Sequence, residues 1–167
     1  MFYRDKVVAV IGGGDTAAAD ALLLSRITKQ VIVVHRRDQL RATKIYHQPL
    51  MDAENVTFHW NNEVKELRHN DRQLTGILLR NTLTGEETEV PCDGVFVSIG
   101  RKPASQLAEG QLLLENGYIV AGETTETSLP GVYAVGDVRT KKLRQVVTAV
   151  ADGAMAVHMA EEYLAGK

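Results

Sequence analysis

A run of three glycines, Gly12–Gly14, stands between two segments of opposite periodicity, and that arrangement leaves few folds open. Before it, Lys6–Ile11 (KVVAVI) is a short β-branched run; after it, Thr16–Thr28 carries Ala17, Ala18, Ala21, Leu22, Leu24 and Ser25 at helical spacing. Gln30–Val34 (QVIVV) is a second apolar run too brief for a helix. Two such strands bridged by one helix make a parallel βαβ unit, which packs right-handed.

Within that unit, Gly12-Gly13-Gly14-Asp15-Thr16-Ala17 is a GxGxxA string at a strand-to-helix junction. Its parts suit a dinucleotide pyrophosphate. Gly12 permits the tight turn, Gly14 lets a phosphate approach the backbone, Ala17 allows close helix packing, and the helix N-terminus offers oriented N–H groups. Asp15 is expected to cap the helix. Where NAD-binding units place a carboxylate for the ribose, Val34 is followed by His35-Arg36-Arg37, with Arg41 one turn later. Guanidinium forks there suit the extra 2′-phosphate of NADP.

Further along, Asp38 is expected to cap a helix from Gln39 to about Gln48, which Pro49 stops or kinks. Val56–Trp60 reads as a third strand. From Glu63 to Val90 polar and apolar residues alternate, with turns at His69-Asn70-Asp71 and Thr84-Gly85, as in an antiparallel meander. Gly94–Ile99 (GVFVSI) reads as a buried strand returning to the parallel sheet, and Arg101–Gln106 as a linker interrupted by Pro103. Leu112–Val120 reads as a hairpin turning at Glu115-Asn116-Gly117, and Gly131–Val135 as another strand. Gln145–Leu164 reads as a helix whose Val146, Ala149, Val150, Ala154, Val157 and Leu164 form one stripe.

Composition excludes several classes. The net charge of -2 gives no basic field for nucleic acid, and no apolar run approaches the roughly 20 residues of a membrane span. One cysteine forbids an internal disulfide, a thiolate zinc cage or a CxxC pair, and the five histidines lack ligand spacing, so no metal site is expected. Without a signal-peptide pattern at its start, the chain is expected to be cytoplasmic.

The ordered runs VIGGGDTA, HRRDQLRA, DGVFVSIGRKP, ETSLPGVYAVGDVR and RQVVTAVADGAMA resemble the low-molecular-weight thioredoxin reductases of bacterial type, from Tyr3 to Leu164. The resemblance implies an α/β chain: a Rossmann-like NADPH-binding domain over 1–104, with a central parallel sheet and a β-meander, and part of a FAD-binding domain over 105–167. It implies Gly12, Gly13, Gly14, Asp15, Thr16 and Ala17 around the pyrophosphate, and His35, Arg36, Arg37 and Arg41 around the 2′-phosphate. Ile99 and Gly100 would pass beside NADPH. Gly136 and Asp137 would meet the ribityl and phosphate region of FAD, and Arg144, Gln145 and Val146 would border the isoalloxazine. A full-length form would pass hydride from NADPH to FAD and then to a disulfide, with thioredoxin as partner.

The sequence also departs from that pattern. The N-terminal FAD unit and the CxxC pair have no counterpart in these residues, so the chain reads as a truncated reductase, inactive alone and with no catalytic residue of its own. Cys92 matches no redox position and reads as a small strand residue. Pro49 stands where the family's helix continues. Three alternatives remain: a fragment of a ferredoxin-NADP reductase-like flavoprotein, a fragment of a peroxiredoxin reductase, or a stand-alone NADP-binding module. The apolar strands after Leu107 imply a homodimer or a rearranged C-terminal segment.

Overall fold

The structure, a computed structural model, describes residues 2–166 and falls into two compact units, the first ending at Gly100 and the second beginning at Arg101. Residues 101–104 therefore group with the second unit, whereas the sequence places them in the first.

In the first unit, β1 (Val7–Ile11), α1 (Asp15–Ser25), β2 (Gln30–His35) and β3 (Val56–Trp60) follow the pattern expected. Adding β7 (Gly94–Val97) gives a parallel sheet of order β3-β2-β1-β7. The period of two along each strand sorts the core. Val8, Val10, Val31 and Val33 meet Ala17, Ala18, Ala21 and Leu24 of α1 on one face. Ala9, Ile32 and Val34 meet Ile77, Leu79, Val90 and Cys92 on the other. That second face is covered by the meander β4 (Asn62–His69), β5 (Leu74–Asn81) and β6 (Glu87–Pro91). Strands covered on both faces read as unbroken apolar runs, as β1 and β2 do.

Two elements of this unit differ from expectation. No helix begins at Asp38: the chain bends through residues 36–43, then forms a short 3₁₀ turn and α2 (His47–Met51). The carbonyl of Gly13 accepts the N–H groups of Arg41 at 2.7 Å and Ala42 at 3.0 Å, removing donors a helix would need. Leu40 and Ala42 are buried in the same core. Pro49 falls in the first turn of α2, where a missing N–H costs no helical bond. β7 is an edge strand and only its start is buried: Val95 and Phe96 pack against the core, Val97 is 67% exposed, and Ile99, beyond the strand's end, is 70% exposed.

The second unit contains the hairpin β8 (Leu114–Glu115) and β9 (Tyr118–Ile119), turning through Asn116 and Gly117 at positive φ, and α3 (Val146–Leu164). A small core joins Ala108, Ile119, Ala121 and Ala134. Gly131–Val135 is not a strand; Tyr133 makes one isolated bridge to Glu126. Thr125 sits at φ +62, and that left-handed residue prevents the facing segment from running extended. The stripe on α3 forms but faces outward: Val146 is 82% and Leu164 83% exposed, and Asp152 is the buried residue of this helix. Among the described residues no helix is long and apolar enough to cross a membrane.

Candidate functional site

The glycine loop forms the floor of a cavity of about 640 Å³ in the first unit. Each glycine serves a separate purpose. Gly12 lies at φ +143, donates its N–H to the Val34 carbonyl at 3.0 Å, and has no room for a Cβ against the Ser98 carbonyl. A Cβ on Gly13 would lie 2.5 Å from the His35 ring. A Cβ on Gly14 would meet nothing within 4 Å, so that position is open on the side where a ligand would lie.

Gly14, not Asp15, is the N-cap of α1; Asp15 is its first residue. The Asp15 carboxylate instead accepts the Thr43 N–H at 2.6 Å, and that bond holds its carboxyl below the ordinary range. Together with the two bonds to the Gly13 carbonyl, this fastens the basic segment 41–43 to the glycine loop. The non-helical course of residues 36–43 is thus what brings the arginines to the loop.

Of the residues expected around a dinucleotide, Gly12, Gly13, Gly14, Asp15, Thr16, His35, Arg36, Arg41, Ile99 and Gly100 all line the cavity. Ala17 does not; it is fully buried beneath the loop against β1 and packs in the core. Arg37 is exposed but lies outside the lining. His35 is 4% exposed, its ring edge-on to Trp60, and its Nε2 has no hydrogen-bond partner. Burial, with the charges of Arg41, Arg37 and Arg36, holds it below its ordinary value of 6.5, so it is neutral at pH 7. His35 therefore brings a polar edge to the cavity but not a positive charge. A cavity with an open glycine at a helix N-terminus, two exposed arginines and an unpartnered buried nitrogen fits a phosphorylated dinucleotide.

The far wall comes from β4: Asn62, Glu63, Val64 and Leu67 line the same cavity. Sequence reasoning missed these residues. The available signal was Asn61-Asn62 directly after β3, where Asn61 at φ +55 turns the meander back over the end of β2.

In the second unit, Asp137 and Arg144 line a cavity of about 440 Å³ together with Arg101, Pro103 and Tyr118. Arg144 lies 4.0 Å above the Tyr118 ring, and the exposed Asp137 carboxylate pairs with Arg101 at 3.4 Å. Gly136, at φ +72, directs its N–H to Asp152 at 2.8 Å. Gln145 is the N-cap of α3, where its own N–H donates to Thr148 Oγ1 at 3.1 Å; Gln145 and Val146 lie outside the cavity. An outward carboxylate beside an exposed helix N-terminus fits one wall of a flavin site: Asp137 would accept a ribityl hydroxyl, and α3 would present its positive end.

Residues 3–153 match the family model of the pyridine nucleotide-disulphide oxidoreductases. A thioredoxin reductase of Streptomyces clavuligerus is 44% identical over 167 residues, covering 99% of this chain and 52% of the relative. NADPH-dependent thioredoxin reductase 3 of Arabidopsis thaliana is 45% identical, over 97% of this chain and 31% of its own length. Among solved structures, thioredoxin reductase from Streptococcus pyogenes MGAS5005 matches with a TM-score of 0.81 and 40% identity, over 99% of this chain and 55% of that one. The chain spans about half the length of these bacterial relatives.

Proposed function

The chain belongs to the pyridine nucleotide-disulphide oxidoreductase family, and on that premise we propose that its first unit binds NADPH and its second contributes one wall of a FAD site. The observation that carries this reading is the cavity that joins Gly14, at the N-terminus of α1, to Arg36 and Arg41. The strand-end segment 35–37 carries no carboxylate for a ribose hydroxyl, while Arg36 and Arg41 offer a 2′-phosphate two cations in the cavity lining. At roughly 1.5–3 kcal/mol for each charge-assisted bond, one engaged arginine favours the 2′-phosphorylated nucleotide at least ten-fold.

In the whole protein we propose NADPH-dependent reduction of a disulfide, with thioredoxin as the acceptor, in a cytoplasmic homodimer. The name of the Arabidopsis relative supports the choice of nucleotide. Residues 1–167 contain one cysteine, buried Cys92, whose thiol burial pushes up, so any dithiol must come from outside these residues. Competition binding tests the proposal: adenosine 2′,5′-diphosphate should displace NADPH at least ten-fold more effectively than adenosine 5′-monophosphate. Equal displacement would contradict the 2′-phosphate site. NADPH oxidation with a disulfide substrate should not occur on this chain alone, and turnover would overturn the assignment of the dithiol elsewhere.

A further inference from the structure

We propose that Asp152 is the positioning residue of the flavin-facing turn in the second unit: it fixes Gly136 and thereby presents Asp137. This rests on the reading of that unit as one wall of a flavin site. The Asp152 side chain is only 8% accessible although it sits on a helix whose apolar residues face outward. It gathers four donors from residues 136–141. Oδ2 accepts the Gly136 N–H at 2.8 Å, Arg139 Nε at 2.8 Å and Lys141 Nζ at 2.7 Å, and Oδ1 accepts Arg139 Nη2 at 2.6 Å. Arg139 Nη1 extends the clamp to the Ala121 and Thr140 carbonyls, each at 3.1 Å.

The charge count argues for geometry over stability. Two buried cations face one carboxylate, and replacing a buried ionic cluster by apolar side chains of similar volume is often neutral or stabilising. What apolar side chains cannot supply is an acceptor for the Gly136 N–H. At φ +72 that residue lies in a left-handed conformation, and its direction determines where Asp137 points. The alternative anchor is weak: Arg101 reaches Asp137 at 3.4 Å with both side chains more than half exposed.

The test uses the whole chain, FAD as probe, and two variants that leave Gly136 no side-chain acceptor, Asp152→Leu and the triple variant Arg139→Met/Lys141→Met/Asp152→Leu. Amide hydrogen exchange, thermal unfolding and FAD fluorescence are read together. In Asp152→Leu the Gly136 amide should exchange about ten-fold faster or more, while the distal turns of α3 keep their protection. FAD affinity should fall about ten-fold. The triple variant, which no longer buries unpaired cations, should regain most of the thermal midpoint lost in Asp152→Leu and still show fast Gly136 exchange and weak FAD binding. Unchanged Gly136 exchange in both variants, or wild-type FAD affinity in the triple variant, would overturn the proposal, since either leaves Asp152 a merely structural group. Faster exchange in Asp152→Leu combined with no FAD binding by the wild-type chain would instead overturn the flavin reading and uphold the pinning of the turn.

Discussion

Replacing each of Gly12 and Gly14 by Ala separates a glycine the fold needs from one only a ligand needs. At Gly12, Ala must hold φ +143 and place its Cβ against the Ser98 carbonyl oxygen. Backbone strain alone costs about 1–3 kcal/mol, and the overlap adds to it, so a loss of at least about 2 kcal/mol is expected. At Gly14 the backbone is extended, with φ −94 and ψ −177, and a Cβ meets nothing within 4 Å. Ala is a poorer N-cap than Gly by about 0.5–1 kcal/mol, but it reduces the freedom of the unfolded chain by about 0.4–1 kcal/mol. The two effects nearly cancel, and Gly14→Ala should be as stable as wild type. Its methyl, however, stands where the pyrophosphate must approach the helix N-terminus, and losing one or two charge-assisted bonds of about 1.5–3 kcal/mol weakens NADPH at least ten-fold. Trp60, the sole tryptophan, lies in the first unit and reports its urea unfolding, while NADPH fluorescence reports binding. If Gly14→Ala binds NADPH like wild type, the glycine loop is a packing device and not a dinucleotide cradle.

Other expectations follow from the same geometry. Arg36→Ala and Arg41→Ala should each weaken NADPH about ten-fold and leave NADH unchanged, while Arg37→Ala, outside the cavity lining, should have little effect in parallel titrations. Asp15→Ala removes the acceptor for the Thr43 N–H and should weaken NADPH several-fold, whereas Asp15→Asn keeps an acceptor and should bind at least as well as wild type. Burial and the arginine charges hold His35 below 6.5, and burial does the same for His59. The unfolded chain therefore takes up more protons, and the first unit should lose stability as pH falls from about 7 toward 5, with a shallower slope in His35→Phe. For Asp152, depressed from its ordinary 3.8 chiefly by its hydrogen bonds to Arg139, the stabilisation is present above that value and fades as pH falls below it. Second-unit amide protection should show that loss in wild type but not in Asp152→Asn.

Much of the first unit was legible because its signals are local. The valine runs of β1 and β2, the alanines of α1 and the alternation across residues 63–90 each carry the period of the element they form. What was not legible depends on partners far along the chain. A capping aspartate and a helical pattern at 38–48 were overridden by the Gly13 carbonyl, which lies far upstream of Arg41 and Ala42. Asp15 has the residue type of a cap, yet it serves Thr43 instead. His35 sits in a basic run and is nonetheless buried under Gly13, which makes it neutral. On α3, periodicity located the apolar stripe but could not say which way it faces. The one polar residue turned inward, Asp152, stands out only once its partners on 136–141 are in view.

A 2′-phosphate-selective dinucleotide site within the first unit should be visible in calorimetric titration of the whole chain with NADPH and, separately, NADH. One site per chain is expected, with an affinity for NADPH at least ten-fold above that for NADH and a gap that narrows as salt rises. Equal affinities, or no heat with either nucleotide, would contradict it.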